Sequence, residues 1–378
     1  MPETWPTVGR VLHFSGGLRG DNPPQDNKVY FHPTIPNQEP IFEVIENFPS
    51  IYRLSNQYGL IVGVDFYHRT EEVRGLYPPE WRVYTYTHGT WLGFDVCQKM
   101  AEIRNNAYQQ KQYDFVDCIG KVEAWTKAAS RALRGISDSY HMALRARCIE
   151  KEYKSPQAFS DFNSDYVNDA LHNFFYYVGI LRDHIAEFII LYIASSMPKE
   201  VIGKPIMSKL RDYLNKSSSE HSLGHLKQAI LQGYSTSEHS DILPGWLYLL
   251  KEYRNIITHE KPIDMIACRA WTWQLTRWIG GYSVPYLKFP IPLLPLDSTE
   301  DYFPGVQGDL KEKLKRVGSS QEFMLKNPDG LELAWRLFLR LLIFLNQALD
   351  MSPVKPKIIS FDRSNSWGFR VIKPDEQG

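Results

Sequence analysis

A chain of 378 residues, 43% apolar and 13% aromatic, can bury a sizeable core and is long enough for two domains. That composition excludes a disordered chain. The 43 basic and 43 acidic side chains cancel, which excludes a generally basic nucleic-acid coat and leaves only a confined basic patch for any such partner. Cys97, Cys118, Cys148 and Cys268 form no C-x-x-C pair and suit a reducing compartment better than a disulfide framework. The start, Met1-Pro2-Glu3-Thr4-Trp5, shows no basic segment followed by an apolar run. The most apolar stretch, Phe188 to Ala194, falls far short of the roughly 20 residues that span a bilayer. The expectation is a soluble, cytoplasmic protein without a membrane contact.

The predicted class is α+β. Strand signals dominate the first hundred residues, in Tyr58 to Tyr67 and Trp81 to Thr87, where β-branched and aromatic residues sit between Gly, Pro and Asn clusters. A helix is expected over Thr90 to Tyr113, and another over Phe115 to Cys148 with a break at Gly135. The pattern changes near Ser155-Pro156, so residues 1–155 read as a mixed β/α domain and 156–352 as an all-α domain. In the second region a long, buried helix is predicted over Tyr166 to Ser196 and a shorter one over Pro205 to Asn215. Lys216 to Gly224 reads as a loop. The next helix starts near Pro244, carries Trp246, Leu249, Leu250, Tyr253 and Ile257 on one face, and must end by Pro262. Ile266 to Ile279 is predicted helical, Pro285 to Pro304 a proline-rich arm, and Gly330 to Leu349 a closing helix. Residues 353–378 read as a tail in which Lys357 to Ile372 forms a β-hairpin.

One segment carries chemistry, Glu252-Tyr-Arg-Asn-Ile-Ile-Thr-His-Glu260. Asn255 and His259 are four apart and share a helix face, with Arg254 on the adjoining one. Histidine exchanges protons near neutral pH, and arginine grips phosphate through a planar fork. RNA supplies its own nucleophile, the ribose 2′-hydroxyl, so a proton carrier and a charge at the phosphate suffice.

The same residues resemble the R-x(4–6)-H signature of the HEPN superfamily, found in ribonuclease toxins, anti-phage effectors and RNA-processing enzymes. Here Arg254, Asn255 and His259 fill its positions with four residues between Arg and His. The resemblance covers about half of the chain. It implies a bundle of helices and a metal-independent endoribonuclease needing no cofactor. It also implies a homodimer through the HEPN domain, with two motifs facing each other, and a toxin or abortive-infection role. Asp183 or Glu187 on the preceding long helix are candidate supporting residues, as is Thr258. A non-catalytic HEPN module that binds nucleotide, RNA or a protein partner is the alternative, and an unrelated helical interaction protein the third.

Two further R-x-H spacings, at Arg82 with His88 and Arg134 with His141, lack this context. His221 and His225, with Glu220 and His239, have metal-pair spacing but fall in a Ser/Gly-rich loop. Ser15 to Gly20 is glycine-rich without the Lys-Ser/Thr of a phosphate loop. Arg131, Arg134, Arg145 and Arg147 form a basic cluster and are candidate RNA-backbone contacts, as are Lys311, Lys313, Lys315 and Arg316. The HEPN resemblance also implies that the N-terminal region is the seat of a trigger or regulatory partner.

Overall fold

An antiparallel sheet forms at the N-terminus, and its central strands β1 and β5 are buried along most of their length. The computed structural model describes residues 8–45, 50–68, 79–87, 90–149, 153–193, 201, 203–216, 223–235, 245–255, 271–291 and 321–356. Strands β1 (Val8–Phe14), β2 (Arg19–Asn22), β3 (Lys28–His32), β4 (Ile41–Val44), β5 (Ile61–His68) and β6 (Glu80–Val83) pair in the order β4-β3-β2-β1-β5-β6. Helix α1 (Ser50–Tyr58) covers one face with Ile51, Leu54 and Tyr58, which pack on Leu12, Phe14 and Phe31. Tyr58 stacks on Phe31 with ring centroids 3.9 Å apart. Gly63 of β5 lies under Trp81, whose ring would sit 1.8 Å from any Cβ there, so that strand pair closes only around a glycine. The expected strand at Trp81 to Thr87 is two short ones, β6 and β7 (Tyr86–Thr87), the latter paired with β8 (Thr90–Trp91).

Helices α2 (Leu92–Gln109), α3 (Tyr113–Ile149) and α4 (Phe162–Phe188) follow, and α4 runs on into a π-helical turn at Ile189–Ile193. The break expected at Gly135 does not occur, and α3 is one helix of 37 residues. A helical glycine costs about 1 kcal/mol against alanine. The buried side chains around it, Leu133, Ile136, Tyr140 and Leu144, each contribute more than that. Asp161 caps α4 by accepting from the backbone N–H groups of Asn163 (3.0 Å) and Ser164 (3.2 Å), while also holding Arg147. Next come α5 (Met207–Lys216), α6 (Gly224–Tyr234), α7 (Trp246–Asn255), α8 (Gln321–Lys326) and α9 (Gly330–Asp350). One apolar core joins residues of α2, α3, α4, α5, α6, α7 and α9. The molecule is thus mixed α+β, with an N-terminal antiparallel sheet and many helices. No described helix is long and apolar enough to cross a membrane.

Residues 156–352 are not all helical. The helix expected over Ile266 to Ile279 is, where described, strand β10 (Thr272–Ile279), paired with β11 (Tyr282–Lys288) and with β9 (Gln157–Phe159). The apolar residues there fit both periods. The deciding signal is Gly280-Gly281, both at positive φ (55° and 90°), a two-residue hairpin turn that the helical reading passed over. Pro285, expected in a loop, lies in β11 opposite Thr276 and is tolerated because β11 is an edge strand. The loop expected through Gly224 ends there, since Gly224 opens α6. The tail hairpin expected at 357–372 lies outside the described residues. Asp329 ties the parts together. Its carboxyl accepts from Leu331 and Glu332 N–H at the start of α9, from the Tyr140 hydroxyl of α3 (2.7 Å), and from Phe289 N–H after β11 (2.9 Å).

Candidate functional site

The motif helix α7 is set by its apolar face. Trp246, Leu247, Leu249, Leu250 and Tyr253 are buried, Trp246 against Phe344 of α9 and Tyr253 stacked on Phe175 of α4 at 4.5 Å. With that face turned inward, Arg254 falls on α4 at Gly179. A Cβ at Gly179 would meet Arg254 Cγ at 2.5 Å and Cβ at 3.0 Å, so the missing side chain is the space that Arg254 fills. Arg254 and Asn255 are both half-buried at the C-terminal end of α7. Thr258 and His259 lie outside the described residues.

The candidate supporting residues separate. Asp183 is four residues beyond Gly179 and so shares the face of α4 on which Arg254 lies. It accepts from Arg182 Nε (3.1 Å) and Nη2 (2.8 Å). Glu187 instead pairs with His184 Nδ1 (2.9 Å), and its charge acts on Cys118 and Lys121 of α3. His184 stacks with Trp125 of α3 at 6.4 Å. Glu187 therefore serves the α3–α4 packing.

The basic cluster on α3 is largely committed inside the fold. Arg134 is bound to Asp65 of β5 (2.8 Å), and Arg147 to Asp161 and to the Phe159 ring (4.0 Å). Arg131 and Arg145 are exposed. Arg131 edges a groove of about 310 Å³ between α3 and α4, floored by Ala128, Ala132, Gly135 and Ala170. Lys311, Lys313, Lys315 and Arg316 lie outside the described residues, as do Glu220, His221 and His239. His225 sits in the first turn of α6. The Ser15 to Gly20 segment is a turn pressed onto α3, where a Cβ on Gly17 would lie 2.6 Å from the Tyr140 carbonyl oxygen. It has a packing reason for its glycines and no cradle for phosphate.

Two constellations escaped the linear sequence because their members come from distant elements. The first lies between the sheet and α3. His13 Nδ1 is 3.3 Å from Ser137 Oγ, and its Nε2 is 3.3 Å from Asp65 Oδ2. Arg19 donates to Ser137 Oγ (2.8 Å), Ser137 O (2.9 Å) and Asp138 Oδ1 (3.0 Å). A serine, a histidine and an aspartate in line suggest a nucleophile, yet Ser137 is 0% exposed and its oxygen already accepts from Arg19. With that oxygen held by Arg19 and the imidazole set between Ser137 and Asp65, the cluster docks the sheet on α3. Burial, with Arg19 and Arg134 nearby, lowers His13 well below the usual histidine range. Burial, with Arg19 next in size, pulls His141 on the same face down to about 4.

The second constellation lies beside the motif. Arg182 of α4, 5% exposed, and Tyr234 at the end of α6 each keep one buried polar atom without a hydrogen-bond partner, Arg182 Nη1 and Tyr234 Oη. Arg211 of α5 covers the Tyr234 ring at 4.8 Å and is itself bound to Asp212 (2.6 Å). Only Arg182 belonged to a stretch that sequence inspection marks, the charged interruption Arg182-Asp-His-Ile-Ala-Glu187 in an apolar helix. Comparison with protein-family models, with curated proteins and with solved structures finds no match for this chain.

Proposed function

We propose that the chain is a metal-independent endoribonuclease of the HEPN type, acting as a homodimer in which two copies of the motif form one cleft, in the setting of a toxin or anti-phage effector. The observation that carries this reading is Arg254 seated on Gly179 at the end of an inner bundle helix, beside Asn255 and Asp183-bearing α4. An arginine whose stem is so packed has fewer conformations left, and preorganised charge is what a phosphate transition state requires. His259 takes the proton of the ribose 2′-hydroxyl as its oxygen attacks phosphorus, and the bond from phosphorus to the 5′-oxygen breaks. That oxygen takes a proton from water and His259 then returns its own to the solvent, giving a 2′,3′-cyclic phosphate and a 5′-hydroxyl, while Arg254 offsets the charge on the five-coordinate phosphate.

The test is incubation of total RNA and tRNA with purified protein in excess EDTA, wild type beside His259→Ala. Cleavage by wild type alone, leaving cyclic phosphate ends, is the expected outcome. Intact RNA with the wild type sinks the cleavage reading and leaves a module that binds nucleotide, RNA or a protein.

A further inference from the structure

Two further arginines stand on helices of the same bundle, Arg182 on α4 and Arg211 on α5, each paired with an adjacent aspartate. Arg182 follows Gly179 by three residues on α4, so it lies one turn beyond the spot that Arg254 covers, on the same face. Helix α5 packs on α4 and α6, and α7 packs on α4 and α6. Arg182, Arg211, Tyr234 and Arg254 are thus supplied by four helices that touch one another. Tyr234 lies in the field of Arg182 and Arg211, with Asp183 and Asp212 opposing them.

Hydrogen-bond accounting shows an excess of donors here. Arg182 spends Nε and Nη2 on Asp183, and Nη1 is buried with no acceptor. The Tyr234 hydroxyl is buried with none either. Even if these two atoms turned to each other, the tyrosine proton and one Nη1 hydrogen would still need an oxygen. Buried donors left unmet are strongly disfavoured, and native folds seldom keep two in one place. No described residue supplies that acceptor, and a ligand from outside would. An anionic oxygen answers both groups and gains more from the guanidinium charge than a water does.

Resting on the RNA-cleavage reading above, we propose that Arg182 Nη1 and Tyr234 Oη form a second phosphate seat, which holds a non-bridging oxygen of the RNA phosphate neighbouring the one engaged by Arg254. Arg182 and Tyr234 are positioning residues that fix the register of the strand. Asp183 and Asp212 hold the far edges of Arg182 and Arg211, so the arginines remain folded and paired when no RNA is bound.

Tyr234→Phe is the decisive variant, because it deletes an atom that has no hydrogen-bond partner among the described residues. Affinity for a fluorescent 2′-O-methyl RNA, which lacks the attacking hydroxyl, is measured for wild type, Tyr234→Phe and Arg182→Lys at one salt concentration. Both variants are expected to bind about tenfold more weakly, in line with a lost hydrogen bond to a charged group. Inorganic pyrophosphate is expected to raise the Tm of the wild type more than that of either variant. Equal affinity in all three proteins, or no binding by the wild type, overturns the seat. The two readings fail separately. Tyr234-dependent binding without any cleavage keeps the seat and removes the nuclease. Cleavage with unchanged affinity in Tyr234→Phe keeps the nuclease and removes the seat.

Discussion

Two of the buried polar clusters among the described residues differ in how their hydrogen bonds balance. Between the sheet and α3, His13, Arg19, Asp65, Arg134, Ser137 and Asp138 answer one another. The atoms left over there are one acceptor, Asp65 Oδ1, and one donor, Arg134 Nε, on side chains already paired. Beside Arg254 the leftover atoms, Arg182 Nη1 and Tyr234 Oη, both carry hydrogens. A balanced cluster is complete without a ligand and serves as an adhesive. One with surplus donors is complete only when an acceptor arrives. Charge and burial alone would rank the first as the active site, because it even aligns a serine, a histidine and an aspartate.

Substitutions can break this contrast. The largest effect is expected at the motif, where Arg254→Ala or His259→Ala should lower RNA cleavage about 100- to 10,000-fold with little change in Tm. A loss of cleavage that tracks unfolding, measured by circular dichroism on the same samples, would count against it. Asp65→Ala should act in the opposite sense, since it strips Arg134 and His13 of their acceptor. Removing one side of a buried pair costs about 3–5 kcal/mol, readable in urea denaturation, and RNA affinity should stay unchanged. Gly179→Ala joins the two readouts. The new methyl group collides with Arg254 Cγ, so about 1–3 kcal/mol of stability and most of the cleavage should go together. Full activity in that variant would show that Arg254 need not lie on α4.

Smaller effects sharpen the picture. His13, His32 and His141 are all lowered, chiefly by burial, so each binds a proton better in the unfolded chain. Their contribution to stability is present above the ordinary histidine value of 6.5 and is lost as pH falls through it, for His141 down to about 4. Asp65 and Asp138, raised by burial, work against that trend. The comparison to make is wild type against His141→Gln, whose stability should gain relative to wild type as pH drops from 6.5 towards 4. A constant difference over that range refutes it. Least of all, Tyr234→Phe should leave stability the same or raise it by less than about 1 kcal/mol, since no internal hydrogen bond is lost. A clear fall in the urea midpoint would mean that the hydroxyl has a structural partner.

Much of this was readable in linear form. The long helix predicted over Tyr166 to Ser196 corresponds to α4 with its π turn, and the one over Gly330 to Leu349 to α9. The motif helix carries its apolar residues on the face that the spacing of Trp246, Leu249, Leu250 and Tyr253 indicates. Arg254 stood out through its neighbours Asn255 and His259, but Gly179, 75 positions earlier, gave no sign that it makes room for it. Arg134 and Arg147 looked like surface charges, because nothing local to α3 announces Asp65 and Asp161.

What the sequence by itself determined was therefore the mixed α+β class, the extent of the long helices at 166–193 and 330–349, and the apolar face of the motif helix. Those properties depend on side chains a few positions apart, where local periodicity governs. Only the tertiary structure decided that residues 272–288 pair as strands with 157–159, that α3 continues through Gly135, and which arginines are already spent on carboxylates. Each of those outcomes rests on contacts between distant segments, whose burial and pairing outweigh local preference by more than the roughly 1 kcal/mol per residue that propensity supplies.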